Sequence, residues 1–142
     1  MSRQKTRRFE ATFKAYNVIE ETKPHYMHMK GRWNQDYFKN ERPITLEIGC
    51  GKGEYTVGLS RIYPERNFIG VDIKGDRLWK GSKIALEEDL QNVGFLRTQV
   101  QMIEDFFEEN EVDTIWITFP DPRPRDRDEK RRLTGPRFFR VL

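Results

Sequence analysis

From residue 44 onward, short apolar runs alternate with amphipathic stretches. Ile44-Thr45-Leu46-Glu47-Ile48 is rich in β-formers and closed by Gly49, which predicts a strand. Residues 53–63 place Tyr55, Leu59 and Ile62 at helical spacing and stop before Pro64, which predicts a helix. Residues 67–73 predict a second buried strand. Residues 76–90 predict a helix whose apolar face is Leu78, Trp79, Ile84, Ala85 and Leu86. Residues 93–97 predict a third strand, 103–109 a short acidic helix, and 112–119 a fourth strand. Strands alternating with helices at this spacing predict an α/β fold, an open, doubly wound parallel sheet with right-handed crossovers. The basic, proline-rich stretch 120–137 predicts a loop, and Thr134-Gly135-Pro136 predicts the start of a further helix with proline near its first turn. The chain then ends on Phe138-Phe139-Arg140-Val141-Leu142 with no terminator. The expectation is that the natural protein continues and that the sheet is incomplete after the fourth strand.

The first 43 residues lack this alternation. Residues 1–8 are basic and expected to be unstructured. Phe9, Phe13 and Tyr16, followed by Val18-Ile19, fit a short helix or an irregular amphipathic segment. Residues 20–43 mix polar residues with Pro24, Tyr26, Trp33, Tyr37, Phe38 and Pro43, and predict an irregular lead-in that packs by its aromatics. The expected organisation is a lead-in over 1–43 and the N-terminal part of a larger domain over 44–142.

Composition narrows the class. The 142 residues suit one domain. Charged residues make up 35%, where about a quarter is usual, so the core is thin and the solvated surface large. Aromatics at 13% argue against disorder. No apolar run reaches the roughly 18–20 residues of a membrane helix. The basic start has no apolar stretch behind it, so it is not a secretory signal. A single cysteine, Cys50, cannot form an internal disulfide, which fits a reducing compartment such as the cytoplasm. The net charge of +3 hides a division: residues 1–43 carry +5, residues 44–119 carry −6 and residues 120–142 carry +4. Basic ends around an acidic middle suit a polyanion held by the ends.

Candidate chemistry gathers at the strand ends. Glu47-Ile48-Gly49-Cys50-Gly51-Lys52-Gly53 joins the first strand to the first helix. Glycine turns with positive φ and lets the backbone approach a ligand, and the carboxyl ends of strands are where open α/β sheets bind ligands. The G-x-G-x-G spacing lacks the third glycine of the dinucleotide fingerprint and the Gly-Lys-Ser/Thr of a phosphate-binding loop. Asp72 ends the second strand, where a carboxylate can accept hydrogen bonds from a ribose diol. Glu47 can face the opening and favour a cationic ligand. A glycine turn, a strand-end acid and no phosphate device suit an adenosine ligand without phosphates. S-adenosylmethionine, with its ribose, ammonium and sulfonium, is such a ligand. Cys50 has no recognisable base partner and reads as a packing residue of the turn.

A second element follows the fourth strand. In Thr118-Phe119-Pro120-Asp121-Pro122 two prolines restrict the backbone around Asp121. A carboxylate held there can accept hydrogen bonds from the Watson–Crick edge of guanine. Arg123, Arg125, Arg127, Lys130, Arg131 and Arg132 come next and can grip phosphates. Asp126, Asp128 and Glu129 dilute that field.

From about Lys30 to the chain end, these residues resemble the tRNA (guanine-N7)-methyltransferase family. The matching segments are Leu46-Glu47-Ile48-Gly49-Cys50-Gly51-Lys52-Gly53, Asn67-Phe68-Ile69-Gly70-Val71-Asp72, and Phe119-Pro120-Asp121-Pro122 with Lys130-Arg131-Arg132-Leu133-Thr134. The first is shared by many methyltransferases, and the last is specific to this family. The resemblance implies a class I, Rossmann-like methyltransferase fold, S-adenosylmethionine as donor, and a guanine in the variable loop of tRNA as target. It implies a catalytic Asp121, substrate contacts from Asp121, Arg125, Lys130 and Arg131, and cofactor contacts from Glu47, Gly49, Gly51, Asp72, Gln99 and Thr118. No metal is expected, and the protein is a monomer or a homodimer. Arg123 stands where the family has Trp, Asp128 where it has His, and the family's closing Thr-x-x-Glu motif is not in these 142 residues.

Guanine N7 carries an in-plane lone pair and no proton, so the expected reaction is an in-line displacement at a sulfonium methyl that rests on alignment. Two other readings remain open: a nicotinamide-dependent oxidoreductase half-domain and a non-enzymatic RNA-binding module. His25 and His28 form a His-x-x-His pair with no third ligand in view, and they read as packing residues or as neighbours of the cofactor.

Overall fold

The computed structural model describes residues 3–117. Its elements are α1 (Arg3–Lys14), β1 (Val18–Ile19), a 3₁₀ turn (Tyr26–His28), a π-helical turn (Trp33–Phe38), β2 (Ile44–Ile48), α2 (Glu54–Ile62), β3 (Asn67–Asp72), α3 (Gly75–Glu87), β4 (Val93–Arg97), a 3₁₀ turn (Val100–Asp105) and β5 (Thr114–Ile117). The strands form one sheet in the order β1-β4-β3-β2-β5, and every neighbouring pair is parallel. This is the open α/β sheet that the alternation predicts. The order reverses beside β2, because β3 and β4 are laid down on one side of it and β5 on the other.

Register brings the strand ends together. Ile48 lies beside Val71 on one side and Ile117 on the other, and Val71 lies beside Leu96. All four carboxyl ends therefore open on the same rim. Asp113 joins β5 to β2 reciprocally: its carboxylate accepts from the Ile44 N–H at 2.8 Å, and its own N–H donates to the Ile44 carbonyl at 2.9 Å.

The two faces of the sheet are covered differently. On one, Phe68, Val93 and Phe95 pack with Val57 of α2, Leu78 and Ala85 of α3, and Ala15 and Val18. On the other, Leu46, Ile48, Ile69 and Val71 pack against Trp33, Phe38, Phe106 and Phe107. Trp33 is fully buried, stacks on Phe107 at 5.4 Å between centroids and donates its indole N–H to the Phe106 carbonyl at 2.8 Å. The aromatics of residues 26–38 thus pack against this face of the sheet. Asn67 of β3 anchors that segment through hydrogen bonds to Asn34 and Asn40.

The N-terminal expectations are corrected. Residues 3–14 form a helix, whereas the composition of 1–8 predicts an unstructured tail. Its charge makes it look like a solvated tail, but α1 is held by packing on α3, where the Arg8 guanidinium lies 4.7 Å from the Trp79 ring centroid. Tertiary contact supports a helix that composition alone does not. Val18 and Ile19 are not a continuation of that helix; they are a strand paired with Phe95 and Leu96. Asn17 fixes the change of direction. Its carbonyl accepts from the Phe95 N–H, its amide donates to the Ser82 carbonyl, and its side-chain oxygen accepts from the Ser82 hydroxyl. The expected acidic helix at 103–109 is the 3₁₀ turn at Val100–Asp105, and α3 ends at Glu87, short of residue 90.

Candidate active site

The glycine turn after β2 has the conformation that its sequence demands. Gly49, Gly51 and Gly53 have φ of 71°, 57° and 75°, which side-chain-bearing residues adopt only at a cost. The N–H groups of Gly49 and Cys50 both donate to the Val71 carbonyl, at 2.9 and 3.0 Å, so the turn folds back over the end of β3. A Cβ on Gly53 would stand 2.7 Å from the Phe95 ring. A Cβ on Gly51 would meet nothing within 4 Å, so the turn is open above that residue.

Asp72 closes the other side of this opening. It is 8% exposed, and its two carboxylate oxygens accept from the Gly51 N–H at 2.9 Å and the Lys74 N–H at 3.0 Å. It thus ties the glycine turn to the start of α3. Each oxygen keeps lone-pair capacity for a further donor. Ile73, next in the chain, exposes about half of its surface at the same rim. The expectation counted it within the strand, and its exposure shows only when the strand is seen to end at Asp72.

Glu47 stands elsewhere than expected. It is 3% exposed and its carboxylate accepts from the Thr56 hydroxyl of α2 at 2.5 Å. It lies under the turn, between sheet and helix, and does not face the opening. Cys50 is half-buried beside Gly70, where a Cβ would come within 2.9 Å of its sulfur. Burial pushes its thiol well above the ordinary range, and the carboxylates of Asp72 and Glu47 push it further. A thiol held protonated suits packing and not nucleophilic attack.

Gln99 is exposed just beyond the end of β4. The preceding residue, Thr98, donates its N–H to the Asp72 carbonyl at 3.1 Å, which holds Gln99 beside the Asp72 strand end. The lead-in reaches the same place. The Tyr26 and Thr98 hydroxyls are 3.0 Å apart, and Arg97 joins the Ile73 carbonyl to the buried Glu20 carboxylate. Nothing in the sequence pattern pairs Arg97 with Glu20, because 77 positions separate them. Gly49, Gly51, Asp72 and Gln99 thus share one rim.

Thr118, Asp121, Arg125, Lys130 and Arg131 lie outside the described residues; β5, which leads to them, ends at Ile117 beside Ile48. His25, which precedes a 3₁₀ turn, and His28, its last residue, are both exposed, and among the described residues no group of three His, Cys, Asp or Glu side chains could hold a metal ion. Two cavities lie away from the rim. One of about 430 Å³ is at the opposite end of the sheet, between residues 31–43 and 108–113. The other, of about 760 Å³, follows the β1 edge past Tyr16 and Tyr37.

Residues 41–142 match the model of a family described as a putative methyltransferase. The tRNA (guanine-N(7)-)-methyltransferase of Cytophaga hutchinsonii is 50% identical, over 99% of this chain and 63% of its own length. That of Christiangramia forsetii is 53% identical, over 97% of this chain and 63% of its own. The chain thus spans less than two thirds of the curated relatives it matches. Among solved structures, the antibiotic-resistance methyltransferase Kmr superposes with a TM-score of 0.53 at 20% identity, covering 66% of this chain and 47% of that one. That likeness is one of fold.

Proposed function

This chain belongs to the putative methyltransferase family, and from that premise we propose that the whole protein transfers a methyl group from S-adenosylmethionine to N7 of a guanine in the variable loop of tRNA. The observation that carries the reading is the single rim at which a glycine turn open above Gly51, the Asp72 carboxylate and the end of β5 meet. The relatives' names point to the same reaction.

The residues present fit the donor. Asp72 keeps acceptor capacity for a ribose diol, and the uncrowded backbone at Gly51 leaves room for the ligand to lie close. Gly49 shapes the turn, and Gln99 lines the neighbouring strand end. Ile73 offers apolar surface to a purine ring. Glu47 supports the turn from below and adds negative charge under a cationic ligand. Thr118 completes the cofactor set. S-adenosylmethionine, when bound, supplies a methyl group activated by a sulfonium. No general base is required, because N7 is unprotonated and in plane, so the protein contributes alignment and electrostatic balance. Asp121 accepts hydrogen bonds from the guanine edge and offsets the cationic product. Arg125, Lys130 and Arg131 hold the RNA backbone.

In this reading residues 1–43 are a lead-in and residues 44–142 the N-terminal part of the catalytic domain. The protein acts in the cytoplasm, where its substrate is, as a monomer or homodimer. Among the described residues no helix is long and apolar enough to cross a membrane.

The test uses the full-length protein with tRNA and a labelled methyl donor. The expected product is 7-methylguanosine, identified by mass spectrometry of the digested RNA. Asp121→Ala abolishes transfer and leaves donor affinity unchanged. Asp72→Ala weakens donor binding about 10–100-fold by calorimetry, the effect of losing hydrogen bonds to a charged acceptor. Methyl transfer to another atom, or wild-type turnover in Asp121→Ala, overturns the assignment.

A further inference from the structure

The described residues carry a marked segregation of charge. The helix α1 holds five basic residues and one acidic residue, and residues 74–87 hold four basic and two acidic, so this helix pair carries +6. The remaining described residues together carry −7. The two helices are packed together, with the Arg8 guanidinium and the Lys83 ammonium both on the Trp79 ring, at 4.7 and 5.2 Å. Adjacent helix axes lie about 8–10 Å apart. That is within the Debye length of about 10 Å at 0.1 M salt, so the fields of the two helices add.

The cations face outward. Arg3, Arg7, Lys74 and Arg77 are exposed and have no ion-pair partner among the described residues. Lys80 and Lys83 are in contact with Glu54 and Glu87 at 3.4 and 3.9 Å. Arg3 and Arg7 stand four positions apart, and one face of α1 therefore carries both. The Arg8 Nε is buried without a hydrogen-bond acceptor. The opposite face of the sheet is the reverse. There Phe106 and Phe107 are buried, and the segment carrying them holds Glu104, Asp105, Glu108, Glu109 and Glu111.

The position matters as much as the sign. Lys74 follows Asp72 by two residues and is tied to its carboxylate, so the basic face begins at the candidate active-site rim. With 13 residues, α3 carries that face roughly 20 Å away from it.

We propose that the outer face of α1 and α3 is a docking surface for the phosphate backbone of tRNA, remote from the target base. The inference rests on the tRNA reading above and adds where the body of that RNA lies. A polyanion is drawn to this face and repelled by the acidic one, so the RNA meets the rim in one orientation. Contacts of this kind position and carry no sequence information.

The test measures tRNA binding to the full-length protein as a function of salt. In the triple variant Arg3→Gln, Arg7→Gln, Arg77→Gln, affinity near 0.1 M salt falls about tenfold or more. The slope of log affinity against log salt becomes shallower by about 2–3. KM for tRNA rises, while kcat and the affinity for S-adenosylmethionine stay at wild-type values. Replacing the same three positions by Lys keeps the charge and restores the slope. Neutralising Lys30 and Arg66, two exposed cations away from this face, leaves binding as it was. A wild-type protein that methylates tRNA, with a triple variant of unchanged affinity and slope, overturns the docking surface alone. A wild-type protein that neither binds nor methylates tRNA overturns this proposal together with the reading beneath it.

Discussion

Gly51 and Gly53 of the turn are required for different physical reasons. At Gly51 only the backbone angle excludes a side chain, because the space beyond it is open; at Gly53 the angle and the Phe95 ring both do. Gly51→Ala is therefore expected to cost about 1–2 kcal/mol, the ordinary penalty of a left-handed residue. Gly53→Ala costs more, because the ring must also move. Urea unfolding of the two variants gives the order, and an equal loss contradicts it. Cys50 offers a second check at this scale. Its raised thiol keeps the thiolate scarce where a free cysteine, near 8.5, already reacts. Alkylation followed by intact mass against pH is expected to rise only well above that value. The linkage has a definite sign: a folded-state value above the unfolded one favours the protonated fold. Stability from this group is present below the unfolded value and is lost as pH rises through the folded one. Asp72 was legible from its place at the end of an apolar run, 23 positions after Gly49. The direction of Glu47 was not. Every residue of β2 is buried, so polar and apolar positions no longer mark the two faces.

At the scale of elements, the lead-in is built around one ring. Trp33 closes the face opposite α2 and α3, stacked on Phe107 and bonded to the Phe106 carbonyl. Trp33→Ala is expected to destabilise the protein by about 3–5 kcal/mol. Trp33→Phe restores part of the packing and still leaves that carbonyl without its donor. Thermal unfolding of both variants measures the difference, and a loss below about 1 kcal/mol in Trp33→Ala means that the ring is not structural. The pattern from β2 to β4 was legible because Gly49, Pro64 and the apolar runs punctuate it clearly. The elements that escaped are those that exist only through partners. A two-residue strand is too short to show any period, and α1 is a charged helix whose support comes from Trp79 across the sequence.

For the molecule as a whole, topology makes one site from distant segments. The reversal of strand order beside β2 sets the glycine turn between β3 and β5, the crevice in which sheets of this kind bind ligands. The expectation of a parallel sheet contained that rim, since parallel strands must end together. What it lacked was the edge strand β1 and, with it, the strap of residues 20–29 across the end of β4. That edge strand has a bearing on how the chain comes off the ribosome. Val18 pairs with Phe95, 77 residues later. At the usual pace of about 5–20 residues per second, the amino-terminal segment waits roughly 4–15 seconds for the partner that completes it. During that interval Val18 and Ile19 have no β4 to pair with, and their backbone groups stay open to any chaperone that guards nascent chains.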